Sequence, residues 1–164
     1  MIKRIPPTKI GDIFEIKTIR NTKRYFQYVA NDLYQLNSAV VRVFKREFPL
    51  EYVPVAEEIV NDDMDFYAHI LLKTGLKMEF WIKVVKHVNI GEPNKFLFKG
   101  TNDYGFTKKP ISDKWYVWYL GDRETKKIGY MTDEYRHAEI GGVFPPLEIL
   151  ERINNGKYRI KYPE

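Results

Sequence analysis

The chain has 164 residues, 44% hydrophobic and 15% aromatic, with a formal charge of +5, which is enough for one compact core. It contains no cysteine, and this excludes disulfides, thiolate nucleophiles, zinc–thiolate sites and iron–sulfur clusters. Twelve Tyr and ten Phe favour sheet over helix, because rings suit a pleated, half-buried surface.

Residues 1–9 read as an irregular leader, since Pro6-Pro7 forbids regular pairing. No apolar signal-peptide core follows Lys3 and Arg4, and no apolar run approaches the roughly 20 residues needed to span a bilayer. The chain therefore reads as cytoplasmic. Gly11-Asp12 leads into a first strand through Ile16. Residues 19–23 are a polar hairpin turn, and Tyr25 to Ala30 is the second strand. Asn31-Asp32 marks another turn. Ser38 to Phe48 reads as the third strand, central because Val40, Val41 and Val43 are β-branched. These three strands form a meander that the rest of the chain packs onto. Residues 1–50 hold ten Lys/Arg against four Asp/Glu, a net +6, whereas the rest of the chain sums to −1. That excess is either a solvated outer face or an attraction for an acidic partner or nucleic acid.

Proline at 54 and the acids Glu57 and Glu58 favour a short helix over residues 54–60. A fourth strand is expected from Phe66 to Leu72, broken by residues 73–77. The fifth, Phe80 to Val88, should point Phe80, Ile82, Val84, Lys86 and Val88 inward, the more apolar parity. Residues 89–113 form a long loop with an extended piece at Lys95 to Lys99, and loops of that length commonly carry function. Trp115 to Leu120 is a sixth strand, with Lys126 to Tyr130 pairing beside it. Thr132 to Arg136 has the composition of one capped helical turn. A C-terminal helix starts at Pro146 and stops at Gly156, and Tyr158 to Tyr162 is an extended tail. The whole reads as a single α+β, mostly β domain over residues 1–164. It is built on an antiparallel meander sheet or partly open barrel, with one or two short helices including one near the C-terminus.

Candidate chemistry is sparse. His69, His87 and His137 show no metal-ligand spacing, so each reads as a structural or surface histidine. Asp62, Asp63 and Asp65 lack the glycine and distal glutamate of a calcium loop and read as a solvated turn. Gly100 to Gly105 lacks the ending of a phosphate loop, and neither Ser38 nor Ser112 sits in a nucleophile elbow. No catalytic, cofactor or metal residue is assigned. The most unusual stretch is 115–120. Trp115, Val117 and Tyr119 share one face; Tyr116, Trp118 and Leu120 share the other. Rings on both faces mean either a strand covered by sheet on one side and helix on the other, or an exposed half that binds a partner. The interface candidates are Trp115, Tyr116, Trp118 and Tyr119, with Tyr104, Phe106, Lys108 and Lys109 in the preceding loop. Lys114 beside them would also permit base stacking on a single strand.

The Gly11-Asp12-Ile13-Phe14-Glu15-Ile16 opening, Tyr25-Phe26-Gln27-Tyr28-Val29 and Val40-Val41-Arg42-Val43-Phe44 together resemble the immunity protein 26 family. Lys127-Ile128-Gly129 and Leu150-Glu151-Arg152-Ile153, with Gly156 after it, extend the similarity. The resemblance implies a cytoplasmic, mostly β bacterial protein of a polymorphic toxin system, which binds and neutralises a cognate toxin. Some relatives carry a phosphotriesterase label, but no catalytic motif carries over. The expected function is thus toxin neutralisation by protein–protein occlusion, without enzymatic activity. A small basic nucleic-acid-binding domain is the alternative, and a metal-dependent hydrolase the third. A basic inhibitor is poorly suited to mimicking nucleic acid on a nuclease.

Overall fold

The structure, a computed structural model, describes residues 4–104 and 109–164. The expected meander is present. Strands β1 (Asp12–Lys17), β2 (Thr22–Asp32) and β3 (Ser38–Phe44) pair antiparallel in succession. The third strand stops at Phe44, short of the expected Phe48. The chain turns back so that β4 (Phe48–Pro49) pairs with the start of β2 instead. Helix α1 (Ala56–Val60), strand β5 (Met64–Ile70), helix α2 (Leu72–Lys77) and strand β6 (Trp81–Lys86) follow. A single 3-10 turn at Pro93–Lys95 leads into β7 (Leu97–Gly100), β8 (Trp115–Tyr119) and β9 (Lys126–Gly129). The chain ends with β10 (Glu139–Ile140), β11 (Val143–Phe144) and α3 (Pro146–Asn155).

Two open sheets result, and neither closes into a barrel. The larger has the order β11-β5-β3-β2-β1-β6, with β4 on β2; the smaller has the order β10-β7-β8-β9. Both are mostly antiparallel. The exceptions are β10 beside β7 and β11 beside β5, two-residue parallel pairings. The sequence gives no sign of them, because so short a strand has no periodicity to read.

The large sheet buries both faces. Phe14, Phe26, Val41, Val43, Phe66 and Trp81 pack under α2 and α3 through Leu72, Leu76, Ile149 and Ile153. Full burial of one such aliphatic side chain stabilises by about 1.5–3 kcal/mol. Helix α3 ends as expected: Gly156 adopts φ +77° and its N–H donates to the Arg152 carbonyl at 2.8 Å. The opposite face is divided. Ile13, Tyr25 and Phe44 pack on Ile59 and Val60 of α1. Val29 and Val40 pack on Phe96, Phe98, Trp118 and Leu120 of the smaller sheet.

Four further expectations are corrected. Residues 72–77 are a helix and not a break, because Leu72 and Leu76 fall one turn apart on the core. The poor helix former Gly75 is required there: a Cβ would lie 1.9 Å from the Trp81 ring. The inward parity of β6 is also reversed at its start. Trp81 is buried and Ile82 exposed, and a bulge opposite Ile13 and Phe14 then shifts the register, so both Val84 and Val85 reach the α1 side. A bulge resets alternation, which is why counting apolar residues fails there. Residues 132–138 are successive turns closed by Tyr135 N–H to Thr132 O and Ala138 N–H to Tyr135 O, not a helical turn. The tail after Gly156 forms bends, with Tyr158 stacked on Phe144 at 3.8 Å.

Candidate interaction site

Strand β8 lies between two layers. Trp118 and Leu120 pack on the large sheet, with Tyr116 half-buried beside them. Val117 packs on Ala138, Ile128 and Tyr135. Trp115 is buried as well. The two-sided ring pattern is therefore core, although the 131–138 turns and not a helix cover the second face. Gly141 is part of this packing, since a Cβ there would meet the Trp118 ring at 2.0 Å.

The eight candidate residues do not form one patch. Trp115 and Trp118 are buried and Tyr116 is half-buried. Tyr119 is exposed at the far end of β8 from the 101–114 loop. Tyr104 is exposed and stacks on Tyr162 at 5.3 Å. Lys109 is exposed and lies 3.7 Å from Asp103. Phe106 and Lys108 lie outside the described residues. The loop is tied internally: Ser112 Oγ donates to Asp103 Oδ2 at 2.8 Å and sits 2.8 Å from Thr101 Oγ1. The chain end closes it, with Ser112 N–H donating to the Glu164 carbonyl at 3.0 Å.

The histidines are structural or peripheral, as expected. His69 is fully buried against Asp32, Nε2 to Oδ2 at 2.8 Å. Burial lowers the His69 pKa, opposed by the Asp32 hydrogen bond and charge. Burial would raise the Asp32 carboxyl, but hydrogen bonds from Gln35, His69 and Tyr34 hold it below the ordinary value. A neutral imidazole protonated at Nε2 would donate to the Asp32 carboxylate, and the buried Nδ1 has no hydrogen-bond partner among the described residues. His87 meets Glu57 at 2.9 Å, and His137 is exposed. No group of three or more His, Asp or Glu side chains gathers to hold a metal ion among the described residues. No helix among them is long and apolar enough to cross a membrane.

Half of the basic residues among the first fifty are already engaged by other groups of the chain. Arg20 pairs with Glu47, Lys23 with Glu15, Arg24 with Asp65 and Arg46 with Glu58. Arg42 is buried. Half of the ten cations are thus ion-paired or buried, with Arg20 and Arg46 paired at the surface.

Arg42 occupies the place that sequence reasoning missed. Alternation puts Val40, Arg42 and Phe44 on one face of β3, and Tyr25, Gln27 and Val29 on the same face of β2. Gln27 and Arg42 are opposite in register. They lie between the cluster under α1 and the cluster under the smaller sheet, so a polar seam divides two apolar patches. Gln27 Nε2 donates to the Gly11 and His87 carbonyls at 3.2 and 3.0 Å. Its Oε1 accepts from Arg42 Nε at 2.9 Å, and Arg42 Nη2 donates to the Asn89 carbonyl at 2.7 Å. A cleft of about 350 Å³ opens at this seam. It is lined by Arg42, Asp62, Asp63, Met64, Tyr67, Glu92, Lys95 and Phe96. Tyr67 and Phe96 stack at 4.1 Å, and Tyr67 Oη donates to the Leu97 carbonyl at 2.8 Å. Burial pushes the Tyr67 hydroxyl up to about 12, so it stays a neutral donor. The visible signal was a charge set among apolar residues on one strand face.

No family model, curated protein or solved structure matches this chain.

Proposed function

We propose that this chain is a bacterial immunity-type protein that binds a cognate toxin and neutralises it by occlusion, as the resemblance to the immunity protein 26 family implies. The observation that carries the binding reading is the seam cleft. It is concave, lies between two packed layers, and combines stacked rings with converging charges, the mixture that anchors protein contacts. The basic nucleic-acid-binding alternative is less well supported. Half of the cations it needs are ion-paired or buried, and Trp115 and Trp118 are packed away from bases. A hydrolase would need a ligand set that the described residues do not assemble.

The test is co-expression with the product of the directly neighbouring gene. Growth rescue and co-elution on size exclusion are expected. A neighbour that stays toxic and elutes separately would overturn the reading.

A further inference from the structure

Arg42 is a buried cation without a direct carboxylate contact among the described residues. It is 8% exposed, yet it makes no ion pair among the described residues. The other buried cations of the same sheet are paired: Lys23 lies 3.2 Å from Glu15 and Arg24 lies 2.8 Å from Asp65. A guanidinium has five N–H donors and stays protonated in proteins. Two are used, on Gln27 and Asn89. Nη1 has no partner among the described residues, and neither does the second hydrogen of Nη2. A guanidinium with Nη donors to spare can take a carboxylate with two parallel bonds, and Arg42 lines the cleft. The Phe44 ring, 5.0 Å from the guanidinium carbon, offers partial compensation only.

The backbone at Gly91 packs close on this end of the guanidinium. Gly91 adopts φ +71°, and a Cβ there would lie 2.5 Å from Nη1. Any side chain at 91 would thus crowd the unpartnered nitrogen. The stacked rings of Tyr67 and Phe96 give an apolar wall for the stem of an entering side chain.

The rim carries the opposite sign. Besides Arg42, the lining holds Asp62, Asp63 and Glu92 against one cation, Lys95, which pairs with Glu92; Asp62 also accepts from the Arg46 and Asp63 N–H groups. Residues 51–65 contribute six Asp/Glu and no Lys or Arg. Repulsion from this rim disfavours a dianionic phosphate or a polyanion, and attracts cations next to the inserted group.

We infer that the cleft takes one Asp or Glu side chain of the partner protein, held end-on by Arg42, and that this carboxylate is flanked by Lys or Arg that meet the acidic rim. The inference rests on the binding-protein reading above and specifies the chemistry of that partner.

The test uses the full chain and defined probes. The Arg42 Nε–H resonance is followed by NMR during titration with Ac-Lys-Glu-Lys-NH2, Ac-Lys-Gln-Lys-NH2, Ac-Ala-Glu-Ala-NH2 and inorganic phosphate. The expected result is a saturable shift with the first peptide, about tenfold tighter than with the Gln peptide and tighter than with the Ala-flanked one. Arg42→Lys, followed through the backbone amides of residues 89–96 because lysine has no Nε–H, keeps the cation but loses the fork and should bind the Glu peptide several-fold more weakly than wild type. The wild-type titration stands even if that variant folds poorly. Equal response to Glu and Gln peptides, or no response to either, overturns the inference. A stronger response to phosphate overturns it in favour of a phosphate ligand. Neither result touches the co-expression test, so loss of this inference and loss of the immunity reading are separable.

Discussion

Gly75→Ala should destabilise the protein, although helix propensity alone argues for the opposite. In a helix interior, alanine is favoured over glycine by roughly 0.5–1 kcal/mol. In α2, however, the new Cβ would sit 1.9 Å from Trp81 Cζ2 and 2.1 Å from Cε2. The indole cannot swing aside cheaply. It is 1% exposed, its Nε1 donates to the Leu72 carbonyl at 3.1 Å, and it meets Phe26 edge-on at 5.1 Å. Inserting a methyl group into such a core costs about 1–3 kcal/mol, occasionally more. The overlap is severe enough to place this case at the upper end, leaving a net loss of about 2 kcal/mol. Urea denaturation followed by tryptophan fluorescence and circular dichroism measures it. In a Trp81→Phe background, with a smaller ring, the cost of Gly75→Ala should fall below about 1 kcal/mol. Stabilisation by Gly75→Ala, or an equal cost in both backgrounds, would refute the contact argument.

Arg152→Met removes a bidentate pair with Glu139 and a cation over the Phe66 ring at 4.1 Å. It should cost about 3 kcal/mol by leaving a mostly buried carboxylate alone, and a melting curve shifted by less than the equivalent of 1 kcal/mol would contradict this. Ser112→Ala strips a buried hydroxyl from Asp103 and Thr101 and should cost about 1–3 kcal/mol, with faster amide exchange at Lys114, whose N–H it accepts at 3.1 Å. Unchanged exchange there would show that the loop is held by other means. Stability should also fall with acid. The folded His69 pKa is lowered, so the unfolded chain binds the extra proton first, and stability is lost as pH drops below about 6.5 toward the folded value. The lowered Asp32 carboxyl adds a second loss only below about 4. Urea midpoints from pH 8 to 5 should decline in the wild type and flatten in His69→Gln; parallel declines would rule His69 out as the cause.

The meander was legible because its signals are local: alternation within strands, Asn31-Asp32 at a turn, and proline and glycine bracketing α3. The features that were not legible depend on distant partners. Helix α2 looks like a break until Trp81 is known to need Gly75. The parity of β6 is set by a bulge against β1. The parallel pairs β10 and β11 are two residues long and exist only against β7 and β5. At the candidate site the rings of 115–120 drew attention as an interface, yet rings on both faces of one strand are more simply accommodated by burying both. The better signal was quieter. Arg42 between Val40 and Phe44, and Gln27 between Tyr25 and Val29, place polar groups inside faces that alternation marks as core. A buried charge needs a partner, and the hydrogen-bond partners of Arg42 among the described residues, Gln27 and Asn89, are neutral.

The most direct measurement is the dissociation constant between the full chain and the product of its neighbouring gene, by calorimetry, for wild type and Arg42→Lys with the variant's fold checked by circular dichroism. The binding reading and the carboxylate cleft together predict a stoichiometric complex that weakens about tenfold or more in the variant. Absence of a complex would contradict the immunity function, and an affinity unchanged by Arg42→Lys would contradict the placement of its contact in the cleft.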